Sequence, residues 1–497
     1  HAMRLLSFSA FEPVSRYFSC VLAIVAIIVT FQILQPTPGW AQAAPSADKR
    51  EQEIELLKVE IKRLEQRVST LESLNQKVKA LGNEVATETE IKQIQTDADR
   101  TKALDAPVVR ASDQGFRLQS GDDDYRIRFG GLAQVNGRFF TSGNDKDLSS
   151  TFYVNKARPI ISGAIAKYWE FQMMPDFGQG KVVLQDGWIN AGYFTQGQFQ
   201  LGKYKANMDL ERLQSDPALE MIQRSQIQNL VPNRDIGAQV QGQLLDNRVA
   251  YTLALMNGVP NNTASFDTDN NDGKDFVGRL FLTPFKPTEM DWLNGLGFGL
   301  AGTYGNERGN TISSYKTWGQ STWFSYNNGV TAAGEHGRLG FQTYYYFHQL
   351  GLMAEYSEDQ QRLNLSSKNL SRSFTNTGYF VQASYYLTGE KASFVPVSPI
   401  RPFELGEEGG LGAWELAARI SNVANDTRQF QLGFANPGVS AKTATEIAVG
   451  LNWILNNNVK YMVDYALTDF YQGAGTATNP TNRPAESTIE SQLQFAF

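Results

Sequence analysis

From Tyr125 onward the chain alternates. Tyr125, Ile127, Phe129, Gly131, Ala133, Val135, Gly137 and Phe139 form one set, and Arg126, Arg128, Gly130, Leu132, Gln134, Asn136 and Arg138 the other. A period of two sends the sets to opposite faces of a strand. Such a strand outruns a soluble sandwich and suits a tilted strand that projects beyond a membrane. Similar alternation recurs at 236–244, 249–255, 276–282, 338–345, 414–420, 446–453 and 460–467. In the closing stretch STIESQLQFAF, Ile489, Ser491, Leu493, Phe495 and Phe497 share a face. Half-buried soluble strands also alternate, but segments of about ten residues repeated between turns are the signature of transmembrane barrels. The expected fold is an all-β transmembrane barrel of about 16 antiparallel strands over residues 115–497, with an even count between sixteen and eighteen.

Connections fall into two kinds. Tight turns such as Asp246-Asn247 and Asn456-Asn457-Asn458 contrast with long polar loops around 258–274, 305–318, 358–376, 389–411 and 469–486. Short turns are expected on the periplasmic side and long loops outside. Trp169, Tyr193, Tyr251, Phe281, Trp323, Tyr345, Trp453 and Tyr465 are candidates for the interfacial girdles, with a soluble β-core as the alternative reading. Between Lys203 and Arg234 the alternation stops; Leu210, Leu213 and Leu219 take helical spacing, with Pro217 and Pro232 as breakers. Long structured insertions are often functional. This one is expected to fold into the lumen as a constriction; the alternative is a surface loop against a neighbouring subunit.

Two segments precede the barrel. Arg4 and Arg16 lead into the apolar run 17–34, which is followed by the Ala41-Gln42-Ala43 cleavage pattern, so residues 1–43 read as a secretory signal peptide, with His1-Ala2 as a cloning scar. An uncleaved anchor is the alternative. Cys20 is the lone cysteine, so beyond the signal there is no disulfide framework and no thiolate metal site. Residues 48–104 carry a heptad seam, Ile54, Leu57, Ile61, Leu64, Val68, Leu71, Asn75 and Val78, among alternating charges. So narrow a stripe needs a partner helix, which predicts an N-terminal α-helical coiled coil in the periplasm and a homo-oligomer. The seam chemistry, with Asn75 inside it, favours two strands in simple peptides. About thirty helical residues reach roughly 45 Å, which raises an alternative function: a structural outer-membrane tether touching peptidoglycan, with transport secondary.

The net charge of −6 is mild and points to no nucleic-acid partner. If the apolar faces meet outer-membrane lipid, the other faces line a lumen. Arg126, Arg128, Arg138, Lys156, Arg158 and Arg279 lie on those faces, and the insertion adds Lys203, Lys205, Arg212, Arg224 and Arg234. Ladders of Arg and Lys select anions. Asp186, Asp235, Asp275, Glu415, Glu446, Asp464 and Glu490 share the face, and pairing among these charges is the alternative. Glu211 and Glu220 are further pore-facing candidates. An enzyme is not expected, since after the signal only His336 and His348 remain as imidazole bases. The acidic loop 267–273 lacks the glycine and glutamate of a calcium-binding EF-hand. No cofactor is expected.

Several short stretches carry a family resemblance: VNKAR at 154–158, LQDGWINAGY at 184–193, GKYK at 202–205, IQR at 222–224, NRDIG at 233–237, and the segment from Asn257-Gly258 to DFVGRLF. In order and spacing, residues 115–497 resemble the phosphate-selective porin O and P family. The resemblance implies a sixteen-stranded trimeric porin whose third loop folds inward and whose lumen carries an arginine ladder leading to an anion site. The solutes it implies are small anions, phosphate among them, or other small hydrophilic molecules diffusing passively. Three positions depart from the family pattern: Asn155-Lys156 replaces paired arginines, Gln223 replaces an acidic residue, and Ser215-Asp216-Pro217 offers no lysine. An Asp at a narrow point is expected to repel phosphate.

Overall fold

A computed structural model describes residues 107–113, 115–142, 149–263, 272–286, 290–309, 312–406 and 409–497. The signal peptide, the heptad seam and most of the 267–273 loop lie outside the described residues. A hairpin of β1 (Val108–Ser112) and β2 (Gly115–Gln119) leads into β3 (Arg126–Ser142). The wall continues through β4 (Thr151–Ile165), β5 (Trp169–Asp176), β6 (Val183–Phe194), β7 (Gly197–Lys205), β8 (Arg234–Leu244), β9 (Val249–Met256), β10 (Asp275–Leu282) and β11 (Leu296–Arg308). Two short strands, β12 (Tyr315–Lys316) and β13 (Thr322–Phe324), form a separate ribbon in the next connection. Then come β14 (Val330–Phe347), β15 (Leu350–Leu365), β16 (Leu370–Tyr386), β17 (Ala413–Ala424), β18 (Ala441–Ile454), β19 (Val459–Gly475), the short β20 (Pro480–Asn482) and β21 (Glu486–Ala496).

Each wall strand is antiparallel to its neighbours, and β21 returns to β3 with Glu490 opposite Arg138 and Leu493 opposite Val135. The result is a closed barrel of 16 strands. Closure leaves no open sheet edge, which is what lets strands cross a bilayer. The alternation read on the first strand holds: Phe129, Val135 and Phe139 are exposed, whereas Gln134, Asn136 and Arg138 are buried inward. The same rule leaves Ile447, Val449, Leu451, Leu493 and Phe495 on the outer face.

Phe497 extends this closure, exchanging backbone hydrogen bonds of 2.9 and 3.0 Å with Gly131. A Cβ on Gly131 would sit 2.7 Å from the Phe497 ring. Gly131→Val therefore overpacks the seam at a cost of about 1–3 kcal/mol. The fraction that migrates as a folded, heat-modifiable barrel on unboiled gels is expected to drop; unchanged migration would contradict the close fit.

Two loop expectations fail. The 358–376 stretch is β15 and β16 joined by the tight turn Ser366–Lys368. It reads as a loop in sequence because these strand ends carry inward polar groups such as Asp359, Gln361 and Asn376. The long connection 387–412 joins β16 to β17, so strand parity places it with the short turns 166–168, 195–196 and 455–458. Length alone misassigned it. It is tied back by Ala392 N–H donating to His348 O (2.7 Å), and Phe394 stacks on Tyr344 at 5.7 Å.

The girdle expectation holds for Trp169, Tyr193 and Tyr465, which are exposed on the outer wall. Tyr251 shares the outward face of β9 with Leu255 and donates to Gln196 O in the short turn, packed over Gly242. The expectation fails for two residues: Phe281 points into the barrel, and Trp323 is fully buried in a loop cluster with Tyr315, Phe324 and Leu230.

Candidate functional site: the lumen and its inserted segment

The segment 206–233 lies inside the barrel. It is mostly irregular: one turn of helix, α1 (Leu210–Leu213), and two 3₁₀ turns, Asp216–Ala218 and Gln226–Leu230, are all the regular structure that the helical spacing yields. Its apolar residues explain its position. Leu210 and Ile227 pack on Phe281, Met353 and Phe380, while Met221 and Ile222 pack on Trp318, Ala417 and Met462. The segment thus coats the wall of β15 to β19.

Backbone amides at such turns need acceptors, and wall carboxylates supply them. Glu355 accepts from the N–H groups of Leu210 (2.8 Å) and Glu211 (2.6 Å) at the start of α1, and Asp464 accepts from Ile222 N–H (2.7 Å). Arg419 lies under the segment, donating to Glu446 (2.9 Å), Glu211 (3.2 Å) and the Gln223 carbonyl (3.0 Å), and its guanidinium lies 5.1 Å from the Trp318 ring. Lys460 donates to Leu219 O at 2.6 Å. Glu211 and Glu220 are both buried toward this wall, a correction to their reading as pore-facing groups.

Burial, reinforced by Glu415, pushes the Glu220 carboxyl up to about 7 from 4.5. Gln382 donates to it at 3.0 Å and Gln214 at 3.3 Å. Between those two values the docked segment holds a proton that the free carboxyl releases, so docking weakens as pH rises through the window. Open-channel noise is expected to be lower at pH 5 than at pH 8, and Glu220→Gln is expected to shrink the difference, with Asp209 in the same segment, also pushed up by burial to about 6, carrying part of the rest. Equal noise in the parent protein at both pH values would contradict this.

Opposite this coated wall, two cavities flank Asp216. The outer one, of about 210 Å³, is bordered by Lys156, Arg212, Arg224 and Lys316 and by no carboxylate among its lining residues. The inner one, of about 630 Å³, is bordered by Arg128, Arg158, Lys205 and Arg234, with Asp113, Asp186 and Asp216 as its carboxylates. Asp216 joins them, accepting from Lys156 (2.8 Å), Arg158 (2.5 Å) and Arg224 (2.9 Å). Burial alone would raise its pKa, yet Lys156, Arg224 and Arg158 hold it well below the usual carboxylate range. The carboxylate expected to repel phosphate is therefore a bridge among cations. Arg158 also pairs with Asp176 (2.6 Å), Arg234 with Asp186 (2.8 Å), and Lys205 Nζ donates to Gln214 O (3.0 Å).

Seven of the eleven cations singled out in the sequence thus meet at the cavities: Arg128, Lys156, Arg158, Lys205, Arg212, Arg224 and Arg234. Four do not. Arg126 sits at the start of β3 beside Asp123, 3.8 Å away. Arg138 is paired with Glu490 (3.3 Å) and bonded to Tyr153, and Arg279 bonds Gln342 (3.0 Å) with its guanidinium over Phe281. Lys203 is buried and outside both linings. Strand alternation names the face of a side chain but not its height along the barrel, which is what separates these four from the rest. Lys316 escaped sequence reading because it lies in a two-residue strand with no period to read.

The acidic residues on the inner face sort similarly. Asp186 and Glu490 pair with cations, as does Asp275, which sits 3.3 Å from Arg338. Asp235 accepts from Gly258 N–H (2.8 Å), and Glu415 from Asn452 (2.9 Å). His336 is locked between Glu307 (2.9 Å) and Asp359 (2.6 Å). Among the described residues no cluster of acids, histidines and cysteines suits a metal ion.

A closed sixteen-stranded barrel with an apolar outer face, a polar lumen and an inserted inner segment defines an outer-membrane porin, a channel for small solutes. The family description phosphate-selective porin O and P matches residues 130–497, and the chain belongs to that family. Porin O of Pseudomonas aeruginosa is 22% identical over 434 residues, covering 79% of this chain and 93% of that protein. Similar solved structures include OmpT of Vibrio cholerae (11% identity, 76% of this chain and 100% of that chain, TM-score 0.48). They also include the anion-selective porin of Comamonas acidovorans (9%, 75% and 99%, TM-score 0.47). A third is the outer membrane channel DcaP of Acinetobacter baumannii (9%, 75% and 97%, TM-score 0.49).

Proposed function

We propose that this porin passes small anions in preference to cations, with phosphate among them. The observation that carries the reading is the distribution of charge: eight cations border the two cavities against three carboxylates, all three in the inner one. On the β15 to β19 wall, Glu355 and Asp464 accept from the inserted segment's amides and Glu446 pairs with Arg419, and none of the three borders either cavity. Alternating cations on both sides of Asp216 let an oxyanion pass from one guanidinium or ammonium to the next, with each site weak enough to release it.

Purified protein in planar bilayers is expected to carry a chloride current that falls as phosphate is titrated in. A chloride current indifferent to phosphate would leave an anion channel without the oxyanion preference, and absence of current would favour a structural tether.

We further propose a homotrimer. Strands β5, β9 and β10 have 8 residues each, which at barrel tilt reach only about 20 Å, short of the apolar band of about 25 Å. A neighbouring subunit against this low wall would cover the difference. The heptad seam at 48–104, read as an assembly segment, gives the test: deleting it is expected to shift the oligomer toward monomer in detergent while conductance per barrel persists.

A further inference from the structure

Building on the anion preference proposed above, we propose that the outer cavity is a recognition site for an anionic carbohydrate, a sugar unit bearing a phosphate or carboxylate, and not for a bare oxyanion. Four cations would suffice to hold phosphate, and phosphate asks a site for donors. This cavity offers more. Eight of its sixteen lining residues are Asn or Gln. Most of them are engaged with other protein groups, as Gln226 is with Glu446, Gln228 with Asp209 and Asn229 with Lys316. Among the described residues the Gln320 amide and the Gln179 amide oxygen keep hydrogen-bonding capacity for a ligand. Paired donors and acceptors match hydroxyl groups, which both give and take hydrogen bonds.

Three unsatisfied atoms sharpen the reading. Arg212 Nε, Trp318 Nε1 and Gln228 Oε1 are buried without a hydrogen-bond partner, on residues only 6%, 2% and 5% exposed that border this cavity. A buried polar atom left unpaired is costly and calls for an occupant. Two of these atoms are donors and one is an acceptor, so the occupant must donate as well as accept. A fully ionised oxyanion only accepts, and a water or monohydrogen phosphate can do both one contact at a time; a polyhydroxylated anion brings several donors and acceptors on one ligand.

Size agrees. At about 30 Å³ per water in the liquid, a space of about 210 Å³ corresponds to about seven waters, more than a single tetrahedral oxyanion fills. The charge arrangement orients the ligand: Lys156 and Arg224 at the Asp216 end would take the anionic group, and Gln179 and Gln320 border the same space and would meet the hydroxyls. Among the described residues the Gln179 side chain bonds Asn155 (3.1 Å), and no side-chain bond ties Gln179 or Gln320 to the inserted segment, so both can be changed without disturbing it.

The test is block of single-channel chloride current by glucose 6-phosphate, glucuronate, inorganic phosphate and neutral glucose. Glucose 6-phosphate is expected to reach half-block at about tenfold lower concentration than phosphate, as two extra net hydrogen bonds supply. Glucuronate should block more tightly than acetate, and neutral glucose should not block. In Gln179→Ala/Gln320→Ala the glucose 6-phosphate advantage should shrink at least threefold while phosphate block stays unchanged. Equal block by phosphate and glucose 6-phosphate, or loss of both blocks alike in the variant, overturns the proposal while leaving an anion-selective channel. A potassium-selective current would instead overturn the anion preference on which it rests.

Discussion

Replacing Lys156 and Arg224 together by glutamine is expected to lower the chloride-over-potassium permeability ratio by roughly tenfold. A unit charge a few ångströms from a passing ion is worth about 1 kcal/mol in water-like surroundings, and about 1.4 kcal/mol is tenfold. The substitution removes two of the four cations of the outer cavity and two of the three partners of Asp216. Asp216, left with Arg158 alone, would then turn part of its charge toward the passage. The companion variant Asp216→Asn should act in the opposite direction, raising the ratio severalfold because three cations lose a shared carboxylate. Reversal potentials in a potassium chloride gradient read both. If the double variant keeps the parent ratio, these residues do not set selectivity.

Arg419→Leu is expected to release the inserted segment. The guanidinium is fully buried and is shared by Glu446, Glu211 and the Gln223 carbonyl. Removing one member of such a buried network leaves carboxylates uncompensated, at a cost of about 3–5 kcal/mol. The barrel wall has its own ladders, so the loss should fall on the segment: larger and noisier conductance, and protease cleavage between residues 206 and 233 in the folded protein. Pairing the change with Glu446→Leu should recover part of the loss, since an apolar pair replaces a buried ionic one at little cost. Parent-like conductance and protease resistance in Arg419→Leu would mean that apolar packing by Met221, Ile222 and Ile227 holds the segment unaided.

The two variants touch different halves of the lumen, and that division is what the sequence could only partly show. Alternation in strands such as β3 and β18 is legible because lipid demands apolar groups at every second position, so compartment and wall architecture follow from the pattern. The inward face was legible too, and Arg158, Arg224 and Arg234 were found by it or by the break in it. What remained hidden is pairing at a distance. Asp216 and Arg158 are 58 positions apart, and Ile222 and Asp464 are 242 apart, and no local period encodes either contact. The acids of β18 and β19 look like a counterweight to the basic strands until the inserted segment is seen to occupy them. Connection 387–412 was misjudged for a related reason: its side of the membrane is set by the parity of all strands before it, including those at 358–376 that read as loop.

One measurement tests the anion selectivity most directly: the reversal potential of the unmodified protein in a potassium chloride gradient across a planar bilayer. The expected value lies on the chloride side of zero and moves toward zero as salt rises and screens the lumen cations. A value on the potassium side, at low salt and neutral pH, would contradict the assignment of the two cationic cavities as the path of an anion channel.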